Sequence, residues 1–61
     1  MKRPVVTIEE PNGHIRYASL PYYLHEDADI KDMREMIQLV NYMARVEAGA
    51  GTILDIEWKV V

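Results

Sequence analysis

The chain has 61 residues, of which 49% are hydrophobic and 28% charged, with a formal net charge of −3 and no cysteine. This composition is far from disorder and fits one small domain, residues 1–61, yet a domain this size buries only about 60% of the surface that its unfolded chain exposes. Disulfides are excluded as reinforcement, and the acidic balance disfavours a dedicated nucleic-acid binder, which needs a basic surface for phosphate contacts.

Residues 5–9 (Val-Val-Thr-Ile-Glu) are rich in β-branched side chains and read as a first strand. Pro4 precedes them at a strand start, where its missing N–H costs least. Pro11-Asn12-Gly13 supplies a turn, and residues 14–20 follow at hairpin distance as a second strand that Pro21 ends or bends. Residues 22–25 (Tyr-Tyr-Leu-His) read either as a third short strand or as the loop that carries the chain onward.

Residues 30–48 form one amphipathic stretch. Placed at about 100° per residue, Asn41, Arg34, Arg45, Gln38, Lys31, Tyr42 and Glu35 share a polar arc, while the apolar residues cover roughly 200°. That is wider than one packing surface needs, so two buried faces are expected, one on a sheet and one on a partner. Asp29 is the expected N-cap, with Glu26, Asp27 and Asp32 at the positive end of the helix dipole, and Gly49 or Gly51 ends the helix. Residues 52–61 alternate, with Leu54, Ile56, Trp58 and Val60 on the face expected to be buried and Asp55, Glu57 and Lys59 opposite. The order β-β-(β)-α-β predicts an α+β domain, with a three- or four-stranded, mainly antiparallel sheet and one long helix on one face.

With neither disulfide nor evident metal set, self-association is the expected reinforcement, and a homodimer is predicted. Met36, Leu39, Met43 and Val46 are its expected interface on the helix. Pairing through an exposed sheet edge is the other mode. Tyr22, Tyr23, His25, Glu26 and Asp27 are the expected contacts to a protein partner of unknown identity, combining rings that favour interfaces with carboxylates that could compete with phosphate, as could Glu9 and Glu10.

Chemistry of other kinds finds less support in the residues. His25 with Glu26, Asp27, Asp29 and Asp32 lacks the donor spacing of a zinc or calcium site. Ser19, the only serine besides no cysteine, has no base or orienting group spaced around it, and His14 reads as an exposed residue after the turn. No catalytic residue, metal or cofactor is expected, and the chain is read as a non-enzyme. A nucleic-acid-binding regulator is the alternative, using Arg16 with Lys31, Arg34 and Arg45 of the polar arc. No run approaches the length of a membrane span, and Lys2-Arg3 is not followed by a signal-type apolar run, so a cytoplasmic protein without membrane contact is expected.

Gly13 in the turn, Leu20-Pro21 after the second strand, Asp29 at the helix start and the amphipathic helix that follows form a series that resembles the N-terminal domain of HicB-type antitoxins, over residues 1–50. The chain departs from that pattern at Ser19, where the family has Asp, at Ala28 and Ile30, where it prefers Gly and Thr, and after Pro21, where Gly is missing. The resemblance implies a partial ribonuclease-H-like fold and a toxin-binding module without catalytic carboxylates. It leaves no length in these residues for the family's DNA-binding segment.

Overall fold

The computed structural model describes residues 1–61. Its first two strands, β1 (Lys2–Glu9) and β2 (Ile15–Ser19), pair antiparallel around the expected turn. There Gly13 takes a φ of 88°, a value open to glycine at no steric cost, and the Asn12 side chain accepts the His14 N–H at 3.0 Å. Helix α1 (Ile30–Ala48) begins where Asp29 accepts the Asp32 N–H at 2.8 Å and ends at Gly49, whose φ is 57° and whose N–H reaches the Arg45 carbonyl. Strand β3 (Thr52–Val60) then returns antiparallel to β1, which gives the order β2-β1-β3. The α+β class follows, with α1 lying on one face over β1 and β3.

Residues 22–25 do not form a third strand of the hairpin. They make a single bridge, in which Leu24 and Lys2 exchange N–H bonds of 2.9 and 2.8 Å. Between Leu20 and Leu24 the chain bulges away from β1, and that bulge explains how Pro4 is accommodated inside a central strand. Leu20 donates to the Pro4 carbonyl, but Pro4 cannot return a bond to the Leu20 carbonyl. Arg3 supplies the missing donor: its Nε reaches the Leu20 oxygen at 2.9 Å, with the guanidinium 5.6 Å from the centre of the Tyr23 ring. A cation over a ring is a favourable placement in its own right.

The core comprises Val6, Ile8, Leu20, Val40, Ala44 and Ala48, with Pro4 also fully buried. Even-numbered β1 residues face the helix, and on α1 the stripe Met36, Val40, Ala44 and Ala48 repeats every four residues against them. The expected inner face of β3 needs one correction. A bulge opposite Thr7 and Ile8 shifts the phase, so that Ile53 rather than Leu54 pairs with Ile8 and turns inward beside Ile56 and Trp58. Leu54 is left 52% exposed, and Val60 is exposed as well. Gly51 closes the α1–β3 corner, where a Cβ would stand 2.9 Å from both the Glu9 carbonyl oxygen and Ile8 Cγ2.

Candidate interaction surfaces

The stripe that α1 buries is much narrower than its apolar arc. Leu39 and Val46 are 42% and 57% exposed, and Ile30, Met33, Ile37 and Tyr42 are exposed too. Of the four residues expected at a dimer interface, Met36 and Met43 pack against the core of their own chain, whereas Leu39 and Val46 stay free. Tyr42, assigned by periodicity to the polar arc, stands one turn from both of them with its ring in solvent. Its spacing of three from Leu39 and four from Val46 is what joins it to that flank.

The two exposed margins of the helix point different ways. Glu47 is turned toward β2, because Arg16 of that strand bonds its carboxylate at 2.9 Å and its carbonyl at 2.6 Å. On a right-handed helix Met43, Leu39 and Val46 continue round from Glu47 on that side. Ile37 and Ile30 lie across the Val40–Ala44 stripe from Glu47, and therefore over the β3 side.

At the start of α1 the chain forms a cleft of about 390 Å³ lined by Tyr23, His25, Asp27, Asp29, Asp32 and Met36, among others. Tyr23, His25 and Asp27, three of the five expected partner contacts, therefore meet. Glu26 borders a neighbouring recess with Lys2 and Met33, and its carboxylate lies 3.2 Å from the Met1 ammonium. Tyr22 turns the other way and packs on the core, as adjacent residues of an extended segment do. The histidine and carboxylates of the cleft do not converge as a metal-ligand group. Asp29 is already occupied by the Asp32 N–H. Glu9 and Glu10 stand at the opposite end of β1 and do not join this cleft.

Of the residues weighed for phosphate contacts, Arg16 is committed elsewhere. Its Nε bonds Glu10 and its other nitrogens bond Glu47, tying the hairpin loop to the end of the helix. Those bonds, to Glu47 first and Glu10 next, raise its pKa above the ordinary value. Lys31, Arg34 and Arg45 are exposed on α1 and take part in none of the ion pairs. Ser19 and His14 are both exposed, on β2 and in the hairpin loop. No helix of the chain is long and apolar enough to cross a membrane. Comparison with family models, with characterised proteins and with solved structures finds no match to this chain.

Proposed function

We propose that the chain is a non-enzymatic interaction module of the cytoplasm, which works as a homodimer and holds, and thereby inhibits, a protein partner. The resemblance to HicB-type antitoxins implies a toxin-binding module, which is one form of such an inhibitor. The observation that carries the reading is the uncovered apolar surface of α1, with Leu39, Tyr42 and Val46 on one flank and Ile30 and Ile37 on the other. The chain exposes 4440 Å², whereas a compact monomer of 7.1 kDa exposes about 4,100 Å². Covering a large apolar side chain contributes about 1.5–3 kcal/mol, which is large for a core as small as this one.

The flank of Leu39, Tyr42 and Val46 suits a protein partner, since it sets an aromatic ring with a polar tip among aliphatic neighbours. The cleft of Tyr23, His25 and Asp27 extends the offer with an acidic rim. A basic segment of the partner, of the kind that contacts phosphates, fits such a rim and would be blocked by occupying it. Immobilised wild-type chain is expected to retain a specific protein from the host's cytoplasm. A Leu39→Lys/Val46→Lys variant, folded by circular dichroism, should lose that protein. Equal retention by both would overturn the role of this flank.

A further inference from the structure

We infer that a second copy of this chain pairs along the β3 edge, with the two-fold axis at Trp58, making a continuous sheet of order β2-β1-β3-β3′-β1′-β2′. This rests on the homodimer in the proposed function and names the surface that builds it.

The backbone of β3 is prepared for such a partner. Val61 donates to the Met1 carbonyl at 3.1 Å, so Lys59, Glu57 and Asp55, two residues apart along the same strand, also direct their N–H and C=O groups at β1. The groups of Ile56, Trp58 and Val60 therefore point outward. An antiparallel copy centred on Trp58 meets them in kind: Trp58 exchanges both bonds with Trp58 of the second copy, and Ile56 exchanges with Val60 of the second copy on either side of the axis.

The side chains select that register. With the axis at Trp58, Glu57 faces Lys59 of the second copy on the open sheet face, and by symmetry Lys59 faces Glu57. Moving the axis to Ile56 would set Asp55 against Glu57, and moving it to Glu57 would set Glu57 against itself; like charges directly opposite are destabilising. Within one chain Lys59 stands opposite Arg3, a second cation, and neither Glu57 nor Lys59 has an ion-pair partner. Charges along an edge normally discourage pairing. Here they admit a strand that brings the opposite pattern, and this chain's own β3 does so.

The helices fit the same arrangement. A helix seated between β1 and β3 stands about one strand spacing, 4.8 Å, from the two-fold axis, which puts the two helices roughly 10 Å apart, near the usual packing distance of 8–10 Å. The flank turned to that axis carries Ile30 and Ile37, which are 69% and 40% exposed. Ala48 packs at the corner beside Ile8, and Pro4, four residues back along β1, pairs with Trp58. Stepping back the same distance along a helix inclined to the strands brings the turn of Ile37 to the level of Trp58. One association thus covers a free strand edge and one of the two apolar flanks, and leaves Leu39, Tyr42 and Val46 open for another protein.

Sedimentation equilibrium on the full chain tests this, with Trp58, the chain's only tryptophan, as a fluorescent reporter of the axis. Wild type should dimerise, with emission moving to the blue in step with mass. Glu57→Lys and Lys59→Glu should each weaken the dimer by roughly ten- to a hundredfold, since each turns two attractive pairs into two repulsive ones. The double exchange Glu57→Lys/Lys59→Glu should restore it. Lys59→Glu also gains Arg3 as an opposite charge across the strands, so its monomer should be no less heat-stable than wild type, which separates lost pairing from lost folding. In a chain without cysteine, Glu57→Cys/Lys59→Cys should give a covalent dimer on mild oxidation, and neither single cysteine should do so as readily. A dimer that neither single charge reversal weakens, and that Glu57→Cys/Lys59→Cys does not cross-link, would overturn the β3 pairing while leaving the homodimer standing. A strictly monomeric wild type at high concentration would overturn both.

Discussion

Along β2 the alternation leaves only Ile15, Tyr17 and Ser19 with outward backbone groups before Pro21 lifts the chain off the sheet, while along β3 the outward groups of Ile56, Trp58 and Val60 run on without proline. The β2 edge is finished by local devices: a short strand, a proline, the bulge before Leu24, and Arg16 fastening the hairpin to Glu47. The β3 edge has nine residues and no proline, and its one bulge, opposite Thr7 and Ile8, lies clear of the run from Ile56 to Val60. Free edges in one small sheet thus need not have the same fate. An edge cut short by a proline and a bulge offers a partner few outward groups, whereas one marked by alternating charge is closed to most and open to a partner of matching pattern.

Both edges share the central strand β1, and the largest effect is expected there. Ile8→Ala empties a fully buried site in a core of very few side chains and should cost about 2–5 kcal/mol. Urea unfolding should show a lower midpoint, and amides of β2 and β3 should lose hydrogen-exchange protection together. If only one edge loosened, the two would not share a single cooperative core.

Gly51→Ala should act on the β3 side. The added Cβ meets the Glu9 and Ala48 carbonyl oxygens at 2.9 and 3.1 Å, so backbone rather than a flexible tip has to give way. A cost of about 1–3 kcal/mol is expected, as for other overpacked sites. Exchange should quicken first at Thr52 and Ile53, with β2 less affected. Equal loss at both edges would mean that the corner holds the whole sheet rather than the start of β3.

Much of this frame was legible in the residues, and the parts that were not have particular causes. Asp29 and Gly49 bound the helix at the expected places because caps are local chemistry, satisfied by a side chain three residues away or by a positive φ. The inner face of β3 was legible at Ile56 and Trp58 but not at Leu54. Ile53 and Leu54 are both apolar, so only the cross-strand register decides which one turns inward. Among the surface residues, Leu39 and Val46 follow from periodicity alone. Met36 and Met43 do not, because how far round the helix its own sheet reaches is a matter of tertiary packing. The gathering of Tyr23, His25 and Asp27 depends on the bulge after Pro21, which brings Leu24 back beside Lys2. Arg16 held no mark that separated a phosphate ligand from a clamp between two carboxylates.

The smallest expected effect isolates the device that finishes the β2 edge. Arg3→Ala removes the donor that serves the Leu20 carbonyl, and with the guanidinium only half-buried the loss should be about 1 kcal/mol. It should be confined to faster exchange at Leu20, Tyr22 and Leu24, with the β3 amides unchanged. The cause can be separated from lost packing by restoring the backbone donor that proline lacks. In a Pro4→Ala background residue 4 has its own N–H, aimed at the same Leu20 oxygen, and the Arg3 side chain becomes partly redundant. Pro4→Ala has its own cost, since the ring is fully buried, but that cost cancels in a double-mutant cycle. Arg3→Ala should therefore cost less in Pro4→Ala than in wild type, by an interaction of roughly 0.5–1 kcal/mol. Additive costs would mean that Arg3 stabilises the edge through its contact with the Tyr23 ring, and that the Leu20 carbonyl can do without it.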